Sequence, residues 1–321
     1  MNSRSLLRAI AAVALMALGG PALAQAYPQR SITVIIPFPP GGTLDFVGRL
    51  LAQKLSEQMG RPFVVENRAG AGGVIGASAV ANAQPNGYTL LFSASTFATT
   101  PLTMSPPPYD AFKDFTAIAL VAKAPLAVAV RKGLPANDIN GLIAHAKANP
   151  GKLTFAIGSS GSAGNLATEL LKRAGGMDYL IVPYKGSSPA YQDLLGERID
   201  AFIDPILGSA AYVKGGQLKV LAVTSKERVP ALPNVPTVGE SVPGYEFYSW
   251  YALWGPANLP KDIAERLNAE VNKALNTDMR EKLSQQGLVL TPGSMEDFAR
   301  FQKEDITRSA KIIREGNIRA E

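Results

Sequence analysis

Two stretches carry the residue types that could capture a small anion. Pro37-Phe-Pro-Pro-Gly-Gly-Thr43-Leu-Asp45 and Gly158-Ser-Ser-Gly-Ser-Ala-Gly164-Asn165 are rich in glycine and small hydroxyl residues. Each follows a short β-rich run and each opens a helical pattern, so the free N–H groups and positive dipole end of a helix start suit an anion there. Neither matches GxxxxGK[ST], and no lysine stands where a nucleotide phosphate needs one, so a carboxylate is the expected anion. Taken singly, either loop could equally be a βα turn in which glycine serves geometry and Thr43 caps a helix. Asp204 is a third candidate. It ends an apolar run immediately before Pro205, and is either a turn-forming aspartate or an acceptor facing a ligand at the carboxyl edge of a sheet.

Most other chemistries lack material. The chain has no cysteine and one histidine, His145, which removes disulfides, thiolate nucleophiles and cysteine-based metal sites. His145 falls off the apolar face formed by Ile139, Leu142, Ile143 and Ala146, as a surface histidine would. Gly70-Ala-Gly-Gly-Val-Ile-Gly76 reads GxGxxxG in the second βα unit rather than the first, so a structural turn is expected and not a dinucleotide site. Gly158-Ser-Ser160-Gly-Ser162 misses the GxSxG nucleophile elbow at its fifth position. A secreted serine-type hydrolase using Ser160 or Ser162 near Lys185 is the alternative reading from the enzyme class.

These residues need a frame that brings distant loops together. The chain has 321 residues, 46% hydrophobic and 18% charged, enough for two globular domains. Ile32 to Pro37, Pro62 to Glu66 and Tyr88 to Phe92 read as strands, with a helix at Leu44, Val47, Leu51 and Leu55 between the first two. The same grammar restarts at Leu126 to Val130. It continues with a helix over 139–148 and strands at Leu153 to Ile157, Tyr179 to Pro183, Ile199 to Ile203 and Leu218 to Val223. A helix at Pro189 to Leu195 precedes Ile199. Pro230, Pro233, Pro236 and Pro243 mark a crossing segment, after which Tyr248 to Trp254 returns as a strand and the tail is helical. Ser294-Met-Glu-Asp297 has the form of a capping box. The expected fold is α/β with mainly parallel sheets in two domains, 27–125 plus 245–321 and 126–244, with a ligand cleft between them.

Residues 1–26 read as a signal peptide: Arg4 and Arg8, an apolar run from Ala9 to Leu18, then a small-residue cleavage signal near Ala24 or Ala26. Removing it lowers the formal charge from +6 to +4. The remaining basic residues are scattered, so nucleic acid is not an expected partner. A cysteine-free exported chain fits a bacterial periplasm.

Five short motifs in order then carry a resemblance: Pro37-Phe-Pro-Pro-Gly-Gly-Thr-Leu-Asp45, Val65-Glu-Asn67-Arg-Ala-Gly-Ala-Gly-Gly73, Gln84-Pro-Asn-Gly-Tyr-Thr-Leu90, Val182-Pro-Tyr-Lys-Gly186 and Leu232-Pro-Asn-Val-Pro-Thr237. Together they resemble the Bug (TctC-like) substrate-binding proteins of tripartite tricarboxylate transport systems. The resemblance implies a periplasmic two-domain Venus-flytrap fold, type II-like, that binds a small carboxylate, acts as a monomer with membrane permease subunits, and is neither an enzyme nor a cofactor binder. It implies Phe38, Gly41, Gly42 and Asp45 in the first loop and Ser95, Thr96 and Phe97 in the second. It also implies Ser159, Gly161, Ser162 and Asn165 across the cleft, with Asp204 at the family's acidic strand end. Pro39-Pro40, Asn165 and Phe97 depart from the usual pattern, and Phe97 in particular implies a ligand with an apolar or aromatic body. A sensory partner that presents ligand to a receptor is a third reading.

Overall fold

The structure, a computed structural model, describes residues 27–320, so the expected export segment lies outside the described residues. The first lobe begins with β1 (Ile32–Ile36), α1 (Thr43–Met59) and β2 (Phe63–Asn67). A single 3-10 turn, Ala71–Gly73, leads into α2 (Val74–Ala81), β3 (Thr89–Ala94), α3 (Thr96–Thr103) and the long β4 (Phe115–Arg131). The second lobe follows as α4 (Ile139–Ala148), β5 (Thr154–Ile157), α5 (Ala163–Ala174), β6 (Leu180–Pro183), α6 (Ser187–Leu195), β7 (Ala201–Pro205), α7 (Ile206–Lys214) and β8 (Leu218–Val223). The chain returns as β9 (Tyr248–Pro256), α8 (Lys261–Leu275), α9 (Asp278–Gln285), β10 (Val289–Leu290) and α10 (Met295–Glu315).

Local chemistry explains the elements that flank the first loop. In β1 every residue but Thr33 is buried, as a strand covered on both faces requires. In α1, Leu44, Val47, Leu51 and Leu55 bury one stripe. A Cβ at Gly48 would lie 2.6 Å from Ile36 Cδ1, so the glycine lets α1 settle directly on β1. The helix stops at Gly60, whose φ of 68° is left-handed and whose N–H bonds Ser56 O.

The sheets are mixed rather than mainly parallel. Strands β2-β1-β3 and β6-β5-β7 pair parallel within their lobes, whereas β9 runs antiparallel between β3 and β4, and β4 runs antiparallel to β7 and β8. The expectation of parallel strands came from strand-helix alternation. That alternation is broken where β4 and β9 pass between the lobes. β4 pairs with β9 from Phe115 to Pro125 and with β7 from Leu126 onward, so one strand belongs to both halves.

The first lobe's core holds β1, α1 and α8, with a second, aromatic cluster around Phe97, Trp250, Trp254 and Phe298. The second core holds Leu126, Phe155, Leu166 and Ile203. Tyr245 and Phe247 pack there too, as do Ile312 and Ile313 at the end of α10, so the tail does not serve the first lobe alone. α10 opens with the expected capping box between Ser294 and Asp297. His145, in the last turn of α4, is half-buried with Nδ1 3.5 Å from Asn149 Nδ2.

Candidate functional site

A cavity of about 150 Å³ lies between the lobes. That is the scale of a space that holds a benzene-sized molecule. From the first lobe its wall takes Phe38 and Gly42 in the loop before α1, Thr43 and Asp45 in the first turn of α1, Thr96 at the start of α3, and Ser249 and Tyr251 of β9. From the second lobe come Ser159, Ser162 and Gly164 at the start of α5, Lys185 to Pro189 at the start of α6, and Asp204 and Pro205 at the end of β7.

Helix starts therefore converge from both sides. α1, α3 and α6 open on the cavity without a side-chain cap. α5 also opens on the wall but is capped by Ser162. Of the helices away from it, α4, α9 and α10 are capped by Asp138, Thr277 and Ser294, whereas α2 and α8 are not. A first-turn N–H without a cap is a donor free for a ligand or water. At Gly186, whose φ is 108°, only glycine enters α6 without strain, and its N–H donates to Gly158 O at 2.8 Å, holding the α5 and α6 starts side by side. Pro189, third in α6, sits in the first turn, where the missing N–H costs nothing.

The two glycine loops are braced from within. Asp45 Oδ2 accepts from Arg49 Nε at 2.9 Å and from Gly41 N at 3.2 Å, while Oδ1 accepts from Asn67 Nδ2 at 2.9 Å. Burial works to raise the Asp45 pKa, but the hydrogen bonds from Arg49, Asn67 and Gly41 outweigh it and hold the carboxyl below the usual range. In the second loop Asn165 Oδ1 accepts from Gly161 N at 3.0 Å, and Ser162 Oγ accepts from Asn165 N at 3.2 Å. The Gly161 carbonyl accepts from Thr99 Oγ1 in α3, across the lobes, at 2.6 Å. Gly73 and Gly76 serve the close turn expected of them, pressed against Phe38 and Pro37.

Asp204 is the exception to this bracing. It is deep in the second lobe but opens on the cavity, and its Oδ1 accepts from Ser187 Oγ at 3.0 Å. Burial pushes its pKa up to about 7 against the opposing pull of the Ser187 hydroxyl. Tyr191 is itself buried, and its hydroxyl makes no hydrogen bond among the described residues.

Five of the residues expected to touch the ligand stand off the wall. Phe97 is the clearest correction. Its ring lies in the aromatic core, with centroids 5.2 Å from Tyr109, 4.7 Å from Phe115 and 4.6 Å from Trp254, so it gives no reason to expect an aromatic ligand. An apolar ring on a helix next to an aromatic core is buried there by area alone. Gly41 and Gly161 shape their loops through hydrogen bonds to Asp45 and Asn165, and Asn165 is spent on that bond. Ser95 is buried, with Oγ 3.5 Å from Ser249 Oγ. Ser162 Oγ is engaged as the α5 cap and Ser160 is off the wall, although Lys185 is on it.

The segment missed from sequence is Gly186-Ser-Ser188. It has the same order of strand, glycine, hydroxyl residues and helix as the other two loops, so the signal was present in Val182-Pro-Tyr-Lys-Gly186-Ser-Ser188.

The family model described as tripartite tricarboxylate transporter family receptor matches residues 47–318. Protein BugT of Bordetella pertussis is 36% identical over 320 residues, spanning 98% of each chain. Among solved structures, R. palustris Rpa4515 with adipate matches with a TM-score of 0.88 at 36% identity, covering 92% of this chain and 99% of that one. MatC (Rpa3494) from Rhodopseudomonas palustris with bound malate matches with a TM-score of 0.82 at 30% identity, covering 89% and 100%. With helix starts from two α/β lobes around one cavity and relatives of this kind along its length, the chain belongs to the tripartite tricarboxylate transporter receptor family, the Bug or TctC-like periplasmic solute-binding proteins.

Proposed function

We propose that this protein captures a small mono- or dicarboxylate between its lobes, after export to the periplasm, and hands it to membrane permease subunits without a chemical step. The observation that carries the reading is the convergence of uncapped helix starts from both lobes on one cavity. Micromolar capture needs about 8 kcal/mol. One helix end gives an anion roughly 0.3 to 2 kcal/mol, and a hydrogen bond to a charged group about 1.5 to 3 kcal/mol. One loop is thus too weak, and several amides from two lobes suffice. Asp45, one of two carboxylates on the wall, is matched by Arg49 and does not stand alone against an anion. Adipate and malate, held by two relatives, are the first ligands to try.

Calorimetry of the mature chain against acetate, malate, succinate, adipate, citrate and benzoate tests this. Stoichiometric binding of at least one of them is expected, and a cell lacking the protein should take up that carboxylate more slowly. Saturable turnover of an ester or amide with no stoichiometric carboxylate binding would favour the hydrolase reading through Ser162 and Lys185.

A further inference from the structure

We infer that capture of a carboxylate in this cavity takes up one proton, on Asp204, which enters the complex as a neutral acid and donates a hydrogen bond to the ligand. The inference rests on the carboxylate reading above. Asp204 stands on the wall of the same small cavity that the helix starts surround, so an anionic ligand and an ionised Asp204 would share one space of about 150 Å³. Two carboxylates in one site do not both stay ionised, and the proton goes to the group that is easier to neutralise.

Among the described residues, none of those packed against Asp204 is a cation that could relieve the repulsion. From α6 come the Ser187 hydroxyl at 3.0 Å and the Tyr191 phenol. From α7 comes Gly208, where a Cβ would sit 2.7 Å from Asp204 Oδ2 and 3.0 Å from the Tyr191 hydroxyl. The β4 neighbour is Ala127, and β9 contributes Tyr251. Lys185 lines the cavity but is exposed, and across the cavity the Asp45 charge is already paired with Arg49. Burial raises the Tyr191 and Tyr251 phenols, so they stay neutral and Asp204 is the group left to titrate. Its own pKa, raised to about 7, makes the proton cheap to add near neutrality. Protonation turns the one uncompensated acid on the wall into a donor, while Ser187 continues to donate to its other oxygen.

Proton uptake is read by titrating adipate, or malate where adipate does not bind, in pairs of buffers with different ionisation enthalpies from pH 6 to 9. Close to one proton per ligand is expected at pH 8.5, falling to a fraction at pH 6, with up to a tenfold loss of affinity per pH unit above 8. Asp204→Asn, neutral and nearly isosteric, should bind with no proton uptake and a flat pH profile. Zero uptake by the parent at pH 8.5, or equal uptake by Asp204→Asn, overturns the inference while leaving the carboxylate reading intact. A parent that binds none of the tested carboxylates overturns that reading itself.

Discussion

Thr99 Oγ1 donates a 2.6 Å hydrogen bond to the carbonyl of Gly161, joining α3 of the first lobe to the glycine loop that opens α5 in the second. Both partners are buried, and Gly161 N is held at the same time by Asn165. A buried bond of this kind contributes about 0.5 to 1.5 kcal/mol, and an orphaned carbonyl costs more. Thr99→Val, which keeps the shape and removes the donor, should therefore weaken ligand binding by roughly threefold to tenfold. Calorimetry checks this, and unchanged affinity would mean that the bond does not depend on the ligand-bound arrangement.

Gly42 and Gly164 stand on the same cavity and should respond in opposite ways. A Cβ on Gly164 would lie 2.3 Å from Ile203 O, a backbone atom that cannot swing aside. Gly164→Ala should destabilise the fold by about 1 to 3 kcal/mol, seen as a lower urea midpoint. A Cβ on Gly42 meets nothing within 4 Å, and its φ of −87° suits any residue. Gly42→Ala should keep the urea midpoint nearly unchanged and still lower carboxylate affinity, because the methyl enters the ligand space.

Asn67 acts at a distance. Its Nδ2 donates to Phe38 O at 3.0 Å and to Asp45 Oδ1, while its Oδ1 accepts from Arg49 Nη2 at 2.7 Å. Asn67→Ala removes all three bonds and leaves the loop before α1 less fixed, so affinity should fall about tenfold. A titration with adipate or malate reads that loss. Asn67→Asp, which keeps only the acceptors, should not restore it.

Acid and base should act on the ligand-free fold through different carboxylates. The Asp45 pKa is lowered in the fold, so its contribution is full above the unfolded value near 4 and is lost as pH falls through the folded value. The stability advantage of the parent over Asp45→Asn should shrink below about pH 4. Asp204 is raised to about 7, so the folded chain holds an extra proton between the unfolded value and 7, and stability is lost as pH rises through that window. Asp204→Asn should thus gain on the parent as pH rises from about 4 to 7, measured by urea unfolding at each pH.

The sequence made the strands and the two glycine loops legible because buried β-branched runs and glycine-hydroxyl turns are local signals. Helix α4 begins and ends at the residues expected from its apolar spacing, and the Ser294 capping box is as written in the chain. What the sequence hid was relational. Nothing local says that β4 continues for 17 residues and changes partner at Leu126, because the partners lie far along the chain, Tyr248 opposite Pro125 and Pro205 opposite Leu126. In the same way, Asp45 looks like a ligand group until Asn67 is seen to hold it. Phe97 also follows Ser-Thr at a helix start like a site residue, and only its neighbours Tyr109, Phe115 and Trp254 turn it inward.

Helix α10 carries one more consequence. The two tryptophans of the chain, Trp250 and Trp254, are fully buried on β9 and give their indole N–H groups to Asp305 and Gln302 of this helix, whose far end packs in the second lobe. Any shift of the lobes that moves α10 alters the polarity around both indoles, so the protein's own ultraviolet emission is a label-free gauge of closure, readable at nanomolar to micromolar concentration while a carboxylate is added.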